Sequence, residues 1–138
     1  MTRILTGRTD EILQRVAAFE GDELAARELD IPVADKAGKH WFVAVGESGE
    51  TLGFCSAVDE GERVGFWTFY VPPSSRGTGV GRELWLARLD AYAGRELYAY
   101  CSRDSWPFYE RSGFEVVVED YETRDHGKVW WAEVRRPA

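Results

Sequence analysis

The densest chemical signal in this sequence is one stretch, Tyr70-Val71-Pro72-Pro73-Ser74-Ser75-Arg76-Gly77-Thr78-Gly79-Val80-Gly81. An apolar, aromatic run stops there, two prolines hold the chain extended, and three glycines at alternate positions lead into a helix. Glycines let backbone N–H groups converge on an anion, and a helix N-terminus adds partial positive charge. The chemistry expected is therefore a phosphate or pyrophosphate cradle, with Arg76 and Arg82 adding full charges at its rim. A glycine-rich turn that binds nothing is the alternative that the glycines alone leave open. Two common phosphate motifs fit badly. A P-loop needs GxxxxGK and then Ser or Thr, but no lysine follows these glycines; the chain has only Lys36, Lys39 and Lys128. A dinucleotide-binding GxGxxG needs its third glycine one place beyond Gly81.

A second stretch, Trp106-Pro107-Phe108-Tyr109-Glu110-Arg111-Ser112-Gly113-Phe114, places a phenol on a short helix that Gly113 ends. By itself Tyr109 reads first as a core residue beside Phe108, and only second as a proton donor. The cysteines, Cys55 and Cys101, have neither a CxxC spacing nor a flanking histidine, so neither a zinc site nor a disulfide framework is expected. His40 and His126 stand apart, and no metal is assigned. With no apolar leader and no membrane-length apolar run, the expectation is a reduced, cytoplasmic, soluble chain.

The elements that must position these residues follow from the period of the apolar side chains. Arg3–Thr6 reads as a short edge strand, Asp10 to Phe19 as an amphipathic helix opening on acids, and Asp22 to Leu29 as a second helix. HWFVAVG, ETLGFCSAVDE and ERVGFWTFYV read as an antiparallel meander, its third strand apolar on both faces and so central. RGTGVGRELWLARLDAYA becomes a helix with apolar positions Val80, Leu84, Ala87 and Ala91, joined by Trp85, Leu89 and Tyr92. The wet face is marked by Arg82, Glu83 and Asp90. ELYAYC is a fourth strand of this region, and FEVVVEDYE and KVWWAEV form a hairpin about Asp125-His126-Gly127. At 138 residues the chain suits one domain, 1–138, with a full core.

Both motifs resemble those of the GCN5-related N-acetyltransferases (GNAT). Arg76, Gly79 and Gly81 stand at the three defining places of the R/Q-x-x-G-x-G/A signature, and WPFYERSGFEV resembles the second motif, over about Val64 to Val118. The resemblance implies a single-domain α/β GNAT-like fold: a mixed, mostly antiparallel sheet with splayed parallel central strands, flanked by helices. It implies that Arg76, Gly77, Thr78, Gly79, Val80, Gly81 and Arg82 cradle the pyrophosphate of acetyl-CoA. Phe69, Tyr70 and Val71 would lie along the pantetheine arm, in a slot where the strands of Phe69 and Tyr98 part. Tyr109 would protonate the departing thiolate, and the acetyl group would pass directly to a primary amine of a small molecule or peptide in a ternary complex. No metal takes part.

The sequence departs from the family pattern twice. Seven residues before the tyrosine the family often has an Asn that touches the pantetheine, where this chain has Ser102, a shorter side chain offering only a hydroxyl. Midway along the strand before the glycine loop, where some members carry a Glu as base, stands Gly65. Glu60, Glu62, Glu119, Asp120 and Glu122 are the substitutes in reach of the turns. These departures motivate the alternative of a noncatalytic acyl-CoA-binding regulatory module. Acids outnumber bases 24 to 17, which gives a net charge of −7, with most of the excess before residue 71. Such a surface repels nucleic acid and favours cationic acceptors. Trp41, Trp67, Trp106, Trp130 and Trp131 exceed what a core of this size needs, and some can wall an acceptor pocket. No membrane partner is expected, and a homodimer is compatible with the sequence.

Overall fold

The computed structural model describes residues 2–29, 33–36, 38–102, 105–118 and 131–138, with Trp131 described in its backbone alone. Seven strands form one mixed sheet in the order β1-β2-β3-β4-β5-β7-β6. They are β1 (Arg3–Gly7), β2 (Lys39–Val45), β3 (Thr51–Asp59), β4 (Arg63–Tyr70), β5 (Glu96–Ser102), β6 (Glu115–Val118) and β7 (Trp131–Arg136). The helices are α1 (Asp10–Ala17), α2 (Glu23–Leu29), α3 (Val80–Ala91) and α4 (Trp106–Arg111). All pairings are antiparallel except β4 with β5.

Side-chain alternation gives each face of the sheet its own core. Trp41, Val43 and Val45 of β2, with Phe54, meet Ile12 and Val16 of α1 and Ala25 of α2. Phe42 and Ala44 point the other way, to Val80 and Leu84 of α3. Thr9 caps α1 by accepting from the Ile12 N–H (3.3 Å), and Asp22 accepts from the Ala25 N–H (2.9 Å) at the start of α2. Asp22 is therefore a cap, not a helical residue, and α2 starts at Glu23. Helix α1 stops at Ala17, short of Phe19, whose ring still packs on Phe54 and Tyr70 at centroid distances of 5.1 and 6.1 Å.

One extra residue in β4 decides the architecture. Cys55 faces Phe69 and Ser56 faces Trp67, which leaves Thr68 as a bulge with φ 22°, the one positive φ outside glycine among the described residues. The inserted residue resets the alternation. Val64 and Phe66 face α3 and α4; beyond Thr68, Phe69 also faces that side, while Tyr70 turns into the core under α1 and α2. Parallel pairing runs from Arg63↔Glu96 to Phe66↔Ala99 and ends there. Past that point β4 stays with β3, as in Phe54↔Tyr70, and β5 stays with β7, as in Tyr100↔Glu133 and Ser102↔Trp131. A V opens between β4 and β5.

The expected stripe on α3 needs one correction. Val80, Leu84, Trp85 and Arg88 are buried, whereas Ala91 is exposed and Leu86 is 44% exposed. The fourth inward position is a charged residue, because it falls one helical turn after Leu84. Strand β7 starts at Trp131; Lys128, Trp130 and the expected turn at Asp125-His126-Gly127 lie outside the described residues. No helix among the described residues is long and apolar enough to cross a membrane.

The β3–β4 turn is tied to the loop before β5 by a two-point ion pair, with Arg95 Nη2 and Nη1 at 2.8 and 3.0 Å from the Asp59 carboxylate. The Arg95 guanidinium and the Gly61 N–H hold the Asp59 pKa down to about 2. Because the folded value lies below the ordinary one, near 4, this pair contributes stability above pH ~4 that is lost as the pH falls through about 2. Urea midpoints of Asp59→Asn should therefore fall less steeply than those of the parent between pH 4 and 2. Parallel profiles would contradict this assignment.

Candidate active site

The loop after β4 is built around two left-handed glycines. After Pro72, a single 3-10 turn (Pro73–Ser75) leads to Gly77 and Gly79, at φ 76° and 89°. A Cβ added at either meets nothing within 4 Å, so glycine is required there by backbone conformation and leaves the peptide surface open to an approaching group. Gly79 caps α3 without a side-chain acceptor, and the first intrahelical bond runs from the Glu83 N–H to the Gly79 carbonyl (3.0 Å). The N–H groups of Val80, Gly81 and Arg82 thus lie in the first turn, where a helix has no internal acceptors and favours an anion. The Thr78 hydroxyl donates to the Ser75 carbonyl and tightens the loop, while Val80, 3% exposed, anchors it in the core. Gly81 differs, because a Cβ there meets Val71 and Phe69 at ordinary contact distances of 3.7 and 3.9 Å.

Arg82, in the first turn of α3, is exposed. Arg76 is held more firmly. Its Nε donates to the Val71 carbonyl (2.9 Å), its Nη2 pairs with Glu28 of α2, and its guanidinium lies 5.9 Å from the Tyr70 ring. It therefore splints the end of β4 against the loop. Phe69 and Val71, half-buried, line the α3 side of the open V, whereas Tyr70 turns its ring into the opposite core and offers only backbone to that side.

Tyr109 enters the same side from α4. It is 7% exposed and stands edge-on to Trp85 and Phe114, at 4.8 and 5.1 Å between centroids. Burial raises its pKa, and the nearby Arg88 guanidinium pulls against that rise. Ser102, at the end of β5, shares a 3.1 Å hydroxyl–hydroxyl bond with Ser105 at the N-cap of α4 and so links the strand to the helix carrying Tyr109. Burial pushes the thiol of Cys55 up to about 11 and that of Cys101 up to about 12, which disfavours either as a thiolate nucleophile.

The other face of β4 shows why Gly65 is a glycine. A Cβ there would lie 2.7 Å from Trp67 Nε1 and 2.7 Å from the Tyr98 ring and hydroxyl. The Tyr98 hydroxyl donates to Glu60, and Arg63 lies 3.8 Å over the Tyr98 ring. The volume a side chain at 65 would fill is thus taken by a phenol already linked to a carboxylate. Trp67, Tyr98 and Tyr100 form a mutually packed trio at 5.8–6.3 Å. Trp41, by contrast, is fully buried and donates to Asp35 (2.8 Å), an ordinary core role. Glu62 is exposed in the turn; Glu119, Asp120 and Glu122 lie outside the described residues.

The acetyltransferase (GNAT) family model matches residues 8–114. The chain belongs to this family. Acetyl transfer is accordingly its general chemistry, with acetyl-CoA the family's donor. No curated protein matches the sequence. Solved structures extend the likeness to the whole chain of this GNAT protein. An acyl-CoA N-acyltransferase from Pseudomonas aeruginosa superposes with TM-score 0.76 at 19% identity, covering 99% of each chain. ElaA of Escherichia coli gives 0.74 at 20%, again 99% of each, and a ribosomal-protein-alanine N-acetyltransferase from Escherichia coli gives 0.77 at 16%, covering 99% of this chain and 94% of that one. At such identities the likeness is one of fold.

Three residues of this GNAT site escaped the sequence: Thr68, Tyr98 as the companion of Glu60, and Arg88. Only Arg88 left a local signal, its place four residues after Leu84. For the loop, Gly79→Val would force a β-branched residue to φ near 89° and crowd the turn. CoA affinity measured by calorimetry should weaken about tenfold or more, given roughly 1–2 kcal/mol of conformational cost. An unchanged affinity would mean that the loop does not meet the cofactor.

Proposed function

We propose that residues 1–138 act as one N-acetyltransferase domain that moves the acetyl group of acetyl-CoA onto a primary amine of a small molecule or peptide, by direct attack in a ternary complex. The observation that carries this reading is the alignment of three features on one side of the sheet. The glycine loop at the N-terminus of α3, the open V past Phe66 and Ala99, and the Tyr109 phenol all lie on the side of α3 and α4.

Backbone N–H groups of the 77–82 loop hold the pyrophosphate, with Arg82 adding charge and Arg76 keeping the loop against β4 through Val71 and Glu28. Phe69, Tyr70 and Val71 present the strand edge to the pantetheine arm. Acetyl-CoA supplies the thioester and the thiolate leaving group. Tyr109 donates its proton to that sulfur from a buried position. On the opposite face the ammonium is drawn over the Trp67 and Tyr100 rings, which suit a cation, loses one proton to water to become the nucleophile, and gives up a second, as the amide forms, through the Tyr98 hydroxyl to Glu60. The Tyr98–Glu60 pair thereby substitutes for a strand carboxylate at position 65. Ser102 acts on the donor side by holding the start of α4. The raised cysteine thiols support direct transfer over an acyl-enzyme, and reduced thiols in an acidic chain suit a cytoplasmic enzyme with no nucleic-acid partner.

Thiol release from acetyl-CoA across a panel of small amines and peptide N-termini tests the reading. At least one amine should raise release well above the blank, and mass spectrometry without an amine should find no acetyl group on Cys101. Tyr109→Phe should lower kcat roughly 10²-fold with CoA affinity unchanged, the scale expected of a general acid. Tight CoA binding with no response to any amine would instead favour a noncatalytic acyl-CoA-binding module.

A further inference from the structure

An arginine inside an apolar core must place a charge and five N–H donors where water does not reach. Arg88 of α3 is fully buried. Its Nη1 donates to two backbone carbonyls, those of Ser56 (3.0 Å) and Trp67 (2.9 Å). Its Nε and Nη2 have no hydrogen-bond partner among the described residues, and its charge meets ring faces: Phe66 at 4.1 Å, Phe69 at 5.2 Å and Trp85 at 5.3 Å. Ser56 and Trp67 are the pair next to the bulged Thr68. Arg88 therefore binds both strands where β4 gains its extra residue. Lys39 reaches the bulged residue itself from the opposite face, its Nζ donating to the Thr68 hydroxyl (3.2 Å). Tyr109 packs edge-on against the same Trp85 ring, at 4.8 Å between centroids, so the guanidinium and the phenol meet one wall of the same core. The other titratable groups acting on that phenol are Cys101 of β5 and Cys55 of β3, both neutral thiols with raised pKa.

We propose that Arg88 is a positioning residue for acyl transfer, one that fixes the bulge opening β4 from β5 and sets an unneutralised cation in the apolar core that Tyr109 shares across Trp85. This rests on the reading of Tyr109 as the proton donor. As the C–S bond breaks, its electron pair stays on sulfur. The Tyr109 O–H bond breaks while S–H forms, so the negative charge passes to the phenolate oxygen, and the Arg88 charge stabilises it there in a medium that screens little. Water then returns a proton to the phenolate, matching the one released by the amine. An apolar residue at 88 would leave both the bulge carbonyls and the phenolate without this support.

Two variants separate charge from hydrogen bonding. Arg88→Gln keeps an N–H donor for the carbonyls and removes the charge; Arg88→Lys keeps the charge. The readout is the ionisation of Tyr109, taken as the tyrosinate absorbance of each protein minus that of its Tyr109→Phe counterpart, which requires no acceptor. In Arg88→Gln this titration should move up by about one pH unit, and kcat with the best amine of the panel should fall about tenfold, the equivalent of that shift. KM for acetyl-CoA should change less. Arg88→Lys should titrate close to the parent. An unmoved Tyr109 titration in Arg88→Gln, or an equal shift in both variants, would overturn the role of Arg88. The failure of the tyrosine itself has a different signature, in which Tyr109→Phe keeps full kcat while Arg88→Gln still shifts the titration.

Discussion

Pairing between β4 and β5 ends after Phe66 and Ala99, and the rest of the molecule is arranged around that interruption. Two parallel strands in the middle of a sheet ordinarily continue to satisfy each other's backbone groups. Here a single inserted residue, Thr68, turns β4 toward β3, while β5 keeps its bonds to β7 through Ser102. The freed strand edges face one another across a gap instead of facing solvent at an edge of the sheet. The same insertion flips the side-chain alternation, so Phe69 stays on the α3 side and Tyr70 plugs the opposite core. Shape and packing of the site thus have one origin.

Holding such an interruption requires polar groups inside the protein, and they come from both faces. Arg88 meets the carbonyls of Ser56 and Trp67, and Lys39, 8% exposed, meets the Thr68 hydroxyl and the Ala34 carbonyl. Desolvation lowers the Lys39 pKa, the expected sign for a buried ammonium. Aromatic rings enclose both cations: Phe66, Phe69 and Trp85 around Arg88, and Trp41 5.2 Å from Lys39. Each buried carbonyl left without its donor would cost on the order of 1–3 kcal/mol, so these side chains bear on folding as well as chemistry.

The parts of this arrangement that the sequence made legible are those carried by local rules. The meander, the glycine loop entering α3 and the stop at Gly113 follow from alternation and backbone conformation, and the structure matches that reading. The bulge was not legible, since Thr68 is neither glycine nor asparagine and the register that leaves it out, Cys55↔Phe69 beside Ser56↔Trp67, exists only between paired strands. Arg88 was hidden by the ordinary expectation that arginine faces water, although its spacing from Val80 and Leu84 placed it inward. The apparent gap at Gly65 was visible, but what fills it, Tyr98 with Glu60, joins residues 38 positions apart and could be read only in space.

The most direct measurement of the central claim, that the β4–β5 opening and the glycine loop form one cofactor site, is a titration of the protein with CoA followed by backbone amide NMR. Binding should shift the amides of Phe69 to Val71 and of Gly77 to Arg82 together, at one common dissociation constant, and leave β1 and the exposed face of α1 unmoved. Shifts confined to any other surface, or loop amides that respond without those of Phe69 to Val71, would contradict it.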